Sequence, residues 1–103
     1  MMDGELTVEQ AEAQHAEAVA ARDAAVAAVD GPRAALVALE HRIHIEEPVS
    51  RDERRRINAE YQAAESAASE ARVWAEWTDR CARVARGEPV DHGFAQIVGG
   101  ASA

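Results

Sequence analysis

Residues 46–64 read EEPVSRDERRRINAEYQAA, and the fold turns on this stretch. Pro48 lacks a backbone donor and pushes the residue before it toward extended geometry, so a helix arriving from the N-terminal side ends at about Glu46. Two residues later, Ser50-Arg51-Asp52-Glu53 has the form of a capping box. There the Ser50 hydroxyl accepts a backbone N–H three residues on, and Asp52 and Glu53 sit at the positive end of the new helix. One helix stops, a loop of 47–49 follows, and a second helix starts. So short a connection between two long helices turns the chain back on itself.

Working outward, Ile57, Tyr61, Ala64, Ala68, Ala71, Ala75, Thr78, Ala82 and Ala85 step by three and four. That rhythm predicts one helical stripe over 50–86, stopped by Gly87 and Pro89. On the other side, Thr7 is an N-cap with Gln10 as its capping-box partner. Val8, Ala11, His15, Ala18, Arg22, Ala25 and Val29 keep the same rhythm, which continues in phase through Pro32, Leu36, Leu39 and Ile43. Gly31 and Pro32 disfavour helix locally, so helix 7–46 is expected to kink near 30–32 without losing its direction. Residues 1–6 read as a frayed start. Residues 87–103 read as a flexible or docking tail with one apolar cluster, Phe94, Ile97 and Val98. The expected fold class is all-α: a long antiparallel two-helix hairpin, an Ala-rich coiled coil completed by self-association or by a partner. Folding about Pro48 sets Leu39 opposite Ile57, Leu36 opposite Tyr61, Arg22 opposite Trp74 and Ala75, and His15 opposite Cys81 and Ala82.

Composition supports close helix packing over a broad core. Of 103 residues, 25 are Ala, while Leu, Ile, Val and Phe together number 18. Ala is the best helix former, and small residues let helices approach closely, but each contributes little apolar burial. All 11 cationic residues are Arg, a bias that suggests a GC-rich genome such as that of an actinobacterium or one of its phages. The net charge of −8 repels phosphate backbones, so direct nucleic-acid binding is not expected. Cys81 is the one cysteine, which precludes an internal disulfide. No signal peptide is visible, and no apolar run approaches the ~20 residues of a membrane span. The expected location is the cytoplasm or the inside of a phage particle.

Three groups of side chains qualify as candidate sites. Trp74, Trp77, Cys81 and Val84 form an apolar stripe beside the α-helical seam, with Val19 and Val26 as a matching excess on the first arm. Trp is a favoured anchor at interfaces, so these six positions are the expected partner surface. The second group is the hairpin tip: Glu46, Glu47, Asp52, Glu53, Arg54 and Arg55. Its Arg run, 51 and 54–56, is interleaved with carboxylates and has no aromatic residue for base stacking. The third group is polar. His41-x-x-His44 and Glu12-x-x-His15 have helical metal-ligand spacing, but the second arm offers no matching seam carboxylate opposite His15. Cys81 and His15 lack an orienting third group and a phosphate-binding Gly loop is absent. No catalytic residue, cofactor, metal or small-molecule substrate is expected.

The run Asn58-Ala59-Glu60-Tyr61-Gln62-Ala63-Ala64 resembles the start of the second coiled-coil helix in Gre-type transcript-cleavage factors, whose first helix also carries a proline partway along. That resemblance implies a hairpin inserted into the secondary channel of RNA polymerase, with acidic tip residues helping to hold a catalytic magnesium. The tip departs from the family's pattern, since Arg54 and Ile57 stand where its acids precede the Asn. Size and hairpin shape are also similar to the small secreted Trp-x-Gly proteins of actinobacteria, but their turn motif is replaced here by Glu46-Glu47-Pro48-Val49. The residues point to a non-enzymatic interaction or structural component whose partner is itself or another protein. The alternative is a regulator that engages a large enzyme such as RNA polymerase through its tip.

Overall fold

The computed structural model describes residues 6–89, and 83 % of them are helical with no strand among them. Three helices follow in order: α1 Val8–Ala27, α2 Asp30–His44 and α3 Arg51–Ala85. The first two make one long arm, and α3 packs back along it as an antiparallel hairpin. The terminal segments 1–5 and 90–103, including the Phe94, Ile97 and Val98 cluster, lie outside the described residues.

The helix ends follow from local chemistry. Thr7 accepts the Gln10 N–H at 3.1 Å while the Gln10 side chain accepts the Thr7 N–H at 2.9 Å, a complete capping box. Ser50 accepts the Glu53 N–H at 3.1 Å. Both arms close with the same C-terminal motif, in which the last orphan carbonyls are satisfied by a left-handed residue just past the helix. Gly87 takes that role after α3 with φ +78°, donating to the Val84 carbonyl while Glu88 donates to Arg83. After α2 the residue is Glu46, φ +62°, with Glu46 donating to Ile43 and Glu47 to Arg42. Glutamate is an unfavourable occupant of that conformation.

Between α1 and α2 the backbone bends without leaving the right-handed helical region. Ala28 has φ −68° and ψ −12°, and Val29 has φ −74° and ψ −26°. Pro32 has no N–H for the Ala28 carbonyl, and its ring crowds that carbonyl, so the irregularity falls one turn before the proline. The Val29 N–H reaches only to Val26, while Arg33 resumes the regular ladder onto Val29. Val29, at the bend, is 2 % exposed and among the largest fully buried side chains.

The core is a single seam of Ala11, Ala18, Val29 and Leu39 against Ile57, Ala68, Ala75, Thr78 and Ala82. Each lies on one of the two three-four stripes read from the sequence. The ends of the first stripe, Val8 and Ile43, are each 39 % exposed. The molecule measures 64 × 28 × 22 Å with a radius of gyration of 20.1 Å, against about 13 Å for a compact chain of this length. Such a rod has much surface and little interior.

Candidate interaction surfaces

The six apolar candidates divide between two flanks of the rod. Val19 and Val26 line an open groove of about 830 Å³ between α1 and α3, walled by Arg22, Asp23, Arg72, Glu76 and Asp79. Its volume suits a small ligand, but a ligand site buries most of its occupant, and this cleft is open along its length. Its carboxylates are also engaged: Asp23 by Arg22 at 3.0 Å, and Asp79 at 3.2 Å by Arg83 from outside the groove.

Trp74 and Trp77 lie elsewhere, in a shallow apolar depression on α3 lined with Ser69, Glu70 and Val73. Val73 is 64 % exposed, Trp74 48 % and Val84 46 %, while Trp77 and Cys81 are half-buried. At 100° per residue, a helix that buries Ala75, Thr78 and Ala82 must carry Val73, Trp77 and Val84 on its outward side. Val73 was not among the sequence candidates. Its spacing of four residues from Trp77 and eleven from Val84 placed it on the same face, and that spacing was the signal available.

At the tip, Arg42 from α2 bonds both Glu47 in the loop and Glu53 in the first turn of α3, the latter at 2.6 Å. Held by the Arg42 hydrogen bond, the Glu53 carboxyl is kept below the usual glutamate range, and the Arg42 guanidinium is correspondingly harder to deprotonate. Glu46, Asp52, Arg54 and Arg55 remain exposed. Ile57 points into the seam at 9 % exposure, and the Asn58 side chain donates to the Arg54 carbonyl at 2.9 Å. At the open end Arg86 makes a similar staple, to Glu88 and across the seam to Glu12 at 3.0 Å. Solvent screens such exposed ion pairs, so these staples fix register more than they hold the arms together.

His15 meets Thr78, not Cys81 and Ala82, which lie one turn further along. Its Nδ1 is 3.1 Å from the Thr78 hydroxyl and its Nε2 is 3.8 Å from Asp79. Thr78 is 1 % exposed, and its hydroxyl also lies 3.0 Å from the Trp74 carbonyl. This is a polar pin in an otherwise apolar seam, of the kind that sets helix register. Burial raises the pKa of the Cys81 thiol, the opposite of the shift that activates a nucleophile. Among the described residues no three His, Cys, Asp or Glu side chains form a group that could hold a metal ion. Nor is any described helix long and apolar enough to cross a membrane.

Compared with protein-family models, with curated proteins and with solved structures, the chain matches none.

Proposed function

We propose that the chain is a non-enzymatic interaction component, a structural or adaptor part of a larger assembly, which works through the outward face of α3. The observation that carries this reading is the exposure of Val73, Trp74 and Val84 on α3, with Trp77 half-buried among them. Contiguous apolar exposure that includes Trp marks a contact surface, because covering it releases ordered water and Trp loses little side-chain freedom on binding. The expected partner is a protein, since the net charge of −8 disfavours nucleic acid. A regulator acting through its tip has less behind it. Two of the four tip acids, Glu47 and Glu53, are occupied by Arg42, and Ile57 is turned inward.

The test is capture from the native host with the wild-type chain and with the Trp74→Ala/Trp77→Ala variant. The variant should lose the specific partner while its circular dichroism stays helical. Retention of every partner, or loss of helix together with the partner, would instead make the two rings part of the fold.

A further inference from the structure

The outward side of α3 carries a second three-four line that the seam does not use. Its tip half is small: Ala59, Ala63 and Ser66. Its open-end half is bulkier: Val73, Trp77, Arg80 and Val84. All of these are exposed except Trp77 and Arg80, which are half-buried. Facing helices keep one spacing along their contact, about 8 Å between small side chains and about 10 Å between large ones. Two copies paired in parallel would set bulky on bulky and small on small, and no single spacing suits both. Reversing one copy puts Val73 near Ser66 and Trp77 opposite Ala63, while Val84 comes level with Arg55 and Arg56. Trp77 of one copy then rests against Ala59 and Ala63 of the other, and the two-fold axis passes near Glu70.

Contact area favours overlap along the whole of α3. At about 1.5 Å rise and about 10 Å width, the 35 residues of α3 present a strip of roughly 500 Å² per copy. The pair then buries roughly the 1,000 Å² in total that a specific interface needs. Overlap of the Trp-bearing halves alone would reach less than half of that. We infer that the partner of the Trp face is a second copy of this chain, packed α3 to α3 in reversed direction about an axis near Glu70. The inference rests on the reading of that face as an interface and adds the identity and direction of its occupant.

One consequence separates this pairing from a complex with a different protein. The axis brings the two Glu70 carboxylates toward each other, and like charges oppose association there. Glu70→Gln should therefore tighten self-association several-fold. Sedimentation equilibrium on the full chain should show a reversible dimer, and Ala63→Glu should weaken it at least tenfold. Helix content should persist in that variant, since Ala63 is exposed and Glu is a good helix former. Spin labels on Glu46→Cys in a Cys81→Ser background should lie about 60 Å apart, twice the rise from axis to tip. A tip separation near 20 Å would mean parallel chains and would overturn the inference, as would a dimer indifferent to Ala63→Glu. A chain monomeric at every concentration overturns it too. That last result leaves the Trp-face reading standing, because that reading fails only if the double Trp variant keeps its partners or loses its helix along with them.

Discussion

Glu46 occupies the one left-handed, non-glycine position among the described residues, with φ +62°. The position exists because α2 must cap its final carbonyls before the chain reaches Pro48, and glycine fills the equivalent place after α3. A β-carbon in that region costs about 1–2 kcal/mol, so Glu46→Gly should stabilise the hairpin by about 1 kcal/mol in denaturant melts, after allowing for the greater freedom of glycine in the unfolded chain. An unchanged or lower midpoint would mean that the Glu46 side chain contributes contacts that offset the strain. Glu53 gives a second residue-scale prediction. Its pKa is depressed in the folded chain by the Arg42 hydrogen bond, so its stabilising contribution is present above the unfolded value of about 4.3. That contribution disappears as pH falls through the lower folded value. The melting temperature of the wild-type chain should thus decline more steeply below about pH 4.3 than that of Glu53→Gln. Parallel acid profiles would show that the Arg42 staple is not maintained in solution.

Within the helical elements, stability is unevenly distributed along the arms. Leu39 at 2 % exposure and Ile57 at 9 % are buried near the loop, whereas the rest of the buried seam is Ala apart from Val29 and Thr78. Emptying a packed Leu site costs about 2–5 kcal/mol. With few neighbours to collapse into the space, Leu39→Ala should cost about 2–4 kcal/mol, while Ala18→Gly mid-seam should cost about 1 kcal/mol, chiefly through helix propensity. Equal effects at the two sites would mean that bulky packing near the loop is not the main hold. The bend at Ala28 and Val29 belongs to this scale as well. It preserves the stripe through the proline, and Val29 there is the largest buried apolar side chain of the arm's middle.

Taken as a whole molecule, a rod with a 20.1 Å radius of gyration cannot bury enough apolar area for a thick core. Small-angle scattering should return a radius near that value at high dilution. A result near 13 Å would mean that the arms collapse onto each other or onto the tail. On concentration, reversed side-by-side pairing should thicken the particle's cross-section while leaving the roughly 64 Å length nearly unchanged. End-to-end growth would instead place the contact at the tip or the open end.

The sequence alone determined the elements of this protein. Capping boxes at Thr7 and Ser50, the stops at Pro48 and Gly87, and two phased stripes are local signals, and every buried residue lies on one of those stripes. Local signals do not specify how far one arm slides along the other. That offset came from side chains meeting across the seam, with His15 on Thr78 and Arg86 on Glu12. Nor could composition show that Val19 and Val26 face one flank while the Trp pair occupies the other. Helical periodicity fixes the angle between residues on one helix, but the angle between two helices' faces is set only when they pack. The left-handed Glu46 was hidden for a related reason: glutamate carries no turn signal, and its conformation follows from closing α2 within reach of α3.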